Sequence, residues 1–177
     1  MVDTLFVGRV IGGNAIGALV VVFPIQRIVA AISMMLAIGS STAVARKNGE
    51  KNQKAITNVI KNGITLAFVI IVPLILLTYI FRDNILTMLG ASKNILPYAH
   101  DYLSIIIFGS LFICLTYVMN YIMMSLGNRK VTLISTTLGA TLNIIIDYIL
   151  VVNLSYGVRG AAIATVVSQF IALLYSA

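Results

Sequence analysis

Apolar runs long enough to cross a bilayer alternate with short polar breaks along the whole chain. A spanning helix needs about 20 mostly apolar residues, and the pattern supplies such runs over about 15–45, 56–81, 97–126, 131–152 and 160–177. A shorter apolar piece, 1–10, precedes the turn Gly12-Gly13-Asn14 and reads as the tail of a spanning helix whose first half is absent. Of the breaks, 82–94 reads as a polar loop, Gly127-Asn128-Arg129-Lys130 ends the fourth helix, and 153–160 turns the chain. The pattern predicts an all-α polytopic membrane protein: one six-helix bundle over 1–177 with a truncated first helix.

Composition agrees. Of 177 residues, 60% are hydrophobic and 10% charged, with a mean hydropathy of +1.05, whereas a soluble domain carries about 25% charged residues. The formal charge of +7 invites a nucleic-acid reading. The basic residues, however, gather in the breaks between apolar runs, as topological signals do, so the expected surroundings are a lipid bilayer and no nucleic acid. Segments 46–61 and 129–130 are two helices apart and share a side; together they hold Arg46, Lys47, Lys51, Lys54, Lys61, Arg129 and Lys130. The other side has Arg9, Arg82, Lys93 and Arg159. The imbalance predicts that segment 46–61 is cytoplasmic.

Several chemistries find no foothold. A single cysteine, Cys114, lies in an apolar run and reads as packing; His100 beside Asp101 reads as an interfacial residue. No HExxH, Walker loop, CxxC or triad-like spacing occurs. The chain is therefore expected not to be an enzyme and to need no cofactor.

Two charges at membrane depth carry the functional reading. Asp147 is the only charge within 132–153, and a carboxylate held in hydrocarbon is costly enough to be kept for a cation, a proton or a basic partner. Asn143 lies one helical turn before it, so both point at one spot. Thr136, Gly139 and Ala140 extend this small or polar stripe, and Gly160, Ala161, Ala164, Thr165 and Ser168 form a matching stripe on the sixth helix. Small residues let two membrane helices approach closely. Asn143, Asp147 and Thr165 are therefore expected to converge as a set of hard oxygen ligands suited to a small cation. Burial without a cation disfavours the charged carboxylate, so one site could exchange either a proton or a sodium ion. At 1.5 Å per residue from position 131, Asp147 lies about 24 Å along its helix, in the outer half of the membrane. Asp3 is a second candidate acid.

Arg27 follows Pro24 and Gln26, about halfway along the second helix. A central arginine must face the bundle interior or a wet cavity. Arg27 and Gln26, with Tyr117 and Asn120, are the candidate lining of a substrate cleft. Met34, Met35, Met119, Met123 and Met124 add adaptable apolar surface at helical spacing.

Several segments resemble the multidrug and toxic compound extrusion (MATE) family, in the style of its MepA-type bacterial branch. They are Val2-Asp3-Thr4-Leu5-Phe6-Val7-Gly8-Arg9, Gly39-Ser40-Ser41-Thr42-Ala43-Val44-Ala45-Arg46, Pro97-Tyr98-Ala99, the Gly127-Asn128 turn, and Asn143-Ile-Ile-Ile-Asp147 through Gly157-Val-Arg-Gly160-Ala-Ala-Ile-Ala-Thr165. The resemblance implies a twelve-helix exporter of two six-helix bundles, of which this chain is the N-terminal one. Such a protein expels drug-like organic cations across a bacterial or archaeal cytoplasmic membrane in exchange for protons or sodium. It also implies that Asp3, Asn143, Asp147 and Thr165 form the cation site. The chain departs from the family pattern at Tyr148, where proline often follows the acid, and at Met124-Ser125-Leu126, which replace a basic residue before Gly127. The missing half-helix and second bundle read as a fragment. Rival expectations are a lipid-linked saccharide flippase of the same superfamily and a non-transporting membrane remnant.

Overall fold

The computed structural model describes residues 2–176; Met1, Ala177 and the side chains of Val2, Asp3 and Leu5 lie outside the described residues. The described elements are helical throughout: α1 (Val2–Val10), α2 (Gly13–Gly49), α3 (Gln53–Ile80), α4 (Arg82–Met88), α5 (Leu96–Ser125), α6 (Arg129–Asp147), a π-helical segment (Tyr148–Asn153) and α7 (Gly157–Ser176). Five units are long and apolar enough to cross a membrane: α2, α3, α5, α6 with the π segment, and α7. Their outer faces expose Val69, Leu77, Ile80, Phe108, Ile145 and Leu174. A surface this apolar is a liability in water and the ordinary solvated face in lipid. The chain is a multi-pass membrane protein.

The core is organised around α5, which packs most extensively on α2 and α7 and also on α3. Its buried face carries Tyr102, Leu103, Ile106, Ile107, Ser110, Cys114, Val118 and Ile122. Gly109 lets α7 come close, since a Cβ at that position would collide with the Val166 side chain. Small residues play the same part between α6 and α7, where a Cβ at Gly139 would lie 3.2 Å from Ala172 Cβ. Ser135 Oγ donates to the Ala172 carbonyl at 3.0 Å across the same contact. Without a hydrophobic drive between helices in lipid, such close approach and side-chain hydrogen bonding hold membrane helices together.

Helix ends follow local chemistry. Asn52 caps α3, its Oδ1 accepting from Ala55 N at 3.0 Å. After α5, Gly127 adopts φ 85°. Asn128 N then donates to Met123 O at 2.9 Å and Gly127 N to Met124 O at 3.1 Å, a Schellman termination that needs a residue free to take positive φ. At the end away from the basic turn, Arg159 donates to Asp101 Oδ1 at 2.8 Å, tying the start of α7 to the start of α5. His100 Nε2 stands 3.8 Å from Asp83 there.

Three sequence expectations change. Segment 82–94 is not simply a loop: Arg82–Met88 is helical, because Leu86 is fully buried and anchors that turn against the core. Helix α7 begins at Gly157 rather than at 160, so Thr165 stands two turns into it. The helix expected over 131–152 begins earlier, at Arg129, and turns π-helical at Tyr148, directly after Asp147. Leu154 N donates to Ile149 O at 3.0 Å, five residues back. Apolar periodicity does not separate one widened turn from an α-helix. The contacts around it do: a Cβ at Gly160 would sit 3.2 Å from the Leu150 carbonyl, and Tyr148 packs edge-on against Phe6 of α1. The widened backbone is thus pressed against α7 on one side and held by α1 on the other.

Candidate cation site and substrate cleft

The last two turns of α6 carry Asn143 and Asp147 on one face. Asp147 is fully buried, and Asn143 is half-buried. From the facing helix α7, Thr165 meets Asn143, whose Nδ2 donates to Thr165 Oγ1 at 3.3 Å. One hydrogen bond thus joins two of the three expected ligands, and Asp147 lies one turn beyond Asn143 on the same face. The Asp3 side chain lies outside the described residues. Its neighbour Thr4 lines a cavity together with Thr165, which puts this part of α1 beside the same helix face. Among the described residues no cluster of three His, Cys, Asp or Glu forms a metal cage. The donor set is a carboxylate, an amide and a hydroxyl, which fits a hard monovalent ion or a proton better than a transition metal.

Three cavities surround this corner. One of about 370 Å³ lies among α5, α6 and α7 and is bordered by Tyr117, Asn120, Ser135, Asn143, Thr165 and Gln169. A second, of about 310 Å³, is bordered by Thr4, Phe23, Gln26, Tyr102 and Thr165. A third, of about 200 Å³, is bordered by Phe23, Gln26, Arg27, Ser110 and Tyr117. The three are neighbours with walls in common: Thr165 serves the first two, Phe23 and Gln26 the second and third, and Tyr117 the first and third. As neighbouring cavities they make up a candidate cleft region, with the Asn143–Thr165 pair at one side and Arg27 at the other. All four expected cleft residues, Gln26, Arg27, Tyr117 and Asn120, border it. Gln26 Nε2 donates to the Tyr102 hydroxyl at 3.3 Å, and the Arg27 guanidinium lies over the Phe23 ring, 4.5 Å from its centroid.

Tyr102, Ser110, Thr116 and Gln169 border the cleft without having been expected there. A signal for the α5 members was present: Tyr102, Ile106, Ser110, Ile113, Tyr117 and Asn120 follow one another at spacings of three and four, one continuous helical face. It is easily overlooked because two of its six members, Ile106 and Ile113, are aliphatic.

The comparisons with known proteins match nearly all of the chain. The family model described as MatE matches residues 1–149. An FAD transporter of Shewanella oneidensis is 30% identical over 99% of this chain and 40% of its own length. The multidrug export protein MepA of Staphylococcus haemolyticus is 28% identical over 99% of this chain and 39% of its own. Crystal structures of MATE in the bent and straight conformations superpose with TM-scores of 0.94 and 0.91 at 26% identity, covering 99% of this chain and 39% of theirs. The chain therefore spans about two-fifths of the length of the curated relatives it matches.

Proposed function

The chain belongs to the MatE family, and from that premise we propose that it forms the N-terminal bundle of a cation-coupled exporter of small organic compounds. The observation that carries this reading is the Asn143–Thr165 hydrogen bond at the edge of a cavity, one turn from the buried Asp147. A coupling ion, proton or sodium, is held by Asp147, Asn143 and Thr165, with Asp3 as the fourth member. Loading that site changes how α6 and α7 pack, because the ligands lie on the facing sides of these two helices. The cleft residues Gln26, Arg27, Tyr117 and Asn120 receive the cargo. The names of the relatives, an FAD transporter and multidrug export proteins, support an organic substrate of dye or nucleotide size. A second bundle completes the pathway, and the basic segment 46–61 faces the cytoplasm of a bacterial or archaeal cell.

The test is Asp147→Asn, which keeps the shape and removes the charge. Expressed from its own locus with the flanking DNA intact, the wild-type gene should drive export of a fluorescent organic dye from energised vesicles. Asp147→Asn should abolish export and leave the amount of inserted protein unchanged. Undiminished export by the variant would overturn the coupling role. Arg27 in the cleft favours one second reading, a flippase for an anionic lipid-linked saccharide; transport insensitive to both proton and sodium gradients would support it.

A further inference from the structure

Arg27 is the one basic residue that lies within an apolar span away from the ends of the bundle. Along α2 it stands about 21 Å from Gly13 and about 28 Å from Arg46, so it is deep in the bilayer from either side. A guanidinium at that depth must be answered by a partner or by water. Among the described residues Arg27 enters no ion pair: Glu50 is taken by Lys47, Asp101 by Arg159, and Asp83 faces His100. Among the described residues its side chain makes no hydrogen bond either. Its guanidinium lies over the Phe23 ring. Stacking on a ring engages the face of the guanidinium and leaves its five in-plane N–H donors for something else.

Those donors belong to a residue that borders the cleft. The cavity at Arg27 is walled by the aromatic Phe23 and Tyr117, with the polar Gln26 and Ser110. It adjoins the two larger cavities, sharing Phe23 and Gln26 with one and Tyr117 with the other. Val29, Ala30, Ile106 and Ile113 complete an apolar lining, and with the two rings and Arg27 they suit a cargo with a planar aromatic body and a compact anionic group.

We propose that Arg27 is the anchor for an anionic group, a carboxylate or phosphate, on an aromatic substrate held in the cleft between α2 and α5. The planar fork pairs with two oxygens of such a group, while Phe23 fixes the fork from beneath and Tyr117 bounds the aromatic body. This assignment rests on the cleft proposed above and names the class of its substrate. It sets the cargo apart from purely cationic compounds, which Arg27 repels.

A matched pair of dyes tests it. Rhodamine 110 bears a free carboxylate, and rhodamine 123 is its methyl ester. The 177-residue chain is placed in phosphatidylcholine nanodiscs, and binding is followed by fluorescence anisotropy. The wild type should bind the acid about tenfold more tightly than the ester. Arg27→Gln should bring the ratio close to one. Arg27→Lys should retain a reduced preference, which keeps the test decisive if the glutamine variant does not fold. Circular dichroism checks helix content in each. Equal affinity for the two dyes in the wild type, or an unchanged ratio in both variants, overturns the anchor while leaving the cleft in place. Failure of both dyes to bind overturns the cleft and the anchor together. Loss of the preference only in discs containing phosphatidylglycerol assigns the anion to a lipid headgroup and overturns the substrate reading.

Discussion

Asp147 and Arg27 are both charges at membrane depth, and the fold houses them in opposite ways. Asp147 is fully buried at the end of α6, directly before a π segment. Arg27 is exposed, over a phenylalanine ring at the edge of a cavity. A site for a small ion needs ligands close together and a dry wall, because its selectivity comes from short contacts to fixed oxygens. A site for an organic molecule needs space, with a few polar groups in an apolar lining. On the proposed reading, the dry surroundings of Asp147 suit the ion and the open ones of Arg27 the cargo.

The contrast breaks most severely where the two regions meet. Helix α5 borders the Arg27 cavity and α7 supplies Thr165, and their spacing depends on Gly109 against Val166. Valine there has a stiff, branched side chain and no room to move aside. Gly109→Val should cost about 2–3 kcal/mol by overpacking, read as a lower midpoint in reversible denaturation of the detergent-solubilised chain. A variant as stable as the wild type would mean that α5 and α7 are free to separate and that the two regions are not rigidly divided.

A pair of milder substitutions compares the regions directly. Gly160→Ala puts a methyl 3.2 Å from the Leu150 backbone beside the acid. Backbone yields less readily than a side-chain tip, so about 1 kcal/mol should be lost. Ala30→Leu grows into the cavity of about 200 Å³ next to Arg27 and should stay within about 0.5 kcal/mol of the wild type. Equal losses at the two positions would remove the distinction between a packed wall and an open one.

Much of this was legible in the sequence, for reasons that differ by residue. Asn143, Asp147 and Thr165 could be read because polar residues in hydrocarbon are rare and helical spacing fixes which of them share a face. Arg27 stood out for the same reason. The α5 face from Tyr102 to Asn120 was less visible, since its aliphatic members resemble lipid-facing residues. The π segment left no mark in the hydrophobic pattern at all. It depends on Gly160 approaching Leu150 and on Phe6 meeting Tyr148, contacts between residues that only the tertiary fold brings together. The short α4 was hidden similarly: Arg82, Asp83 and Asn84 give its start the look of a loop, and only burial of Leu86 reveals the anchor.

The smallest effect sharpens the comparison most, because it concerns how Arg27 is held. A ring beneath a guanidinium contributes about 0.5–1 kcal/mol where the pair is exposed and more where it is desolvated. Phe23 also borders two of the three cavities, so removing it changes packing as well as charge. A double-mutant cycle separates the two terms. Phe23→Leu, Arg27→Met and the double variant should give a coupling of about 0.5 kcal/mol in the denaturation midpoint when the cleft is wet, since water competes for the cation. A coupling near 2 kcal/mol would show a dry pocket around Arg27. In that case the guanidinium is housed more like Asp147 than the open cavity indicates, and an anionic substrate would have to displace less water to reach it.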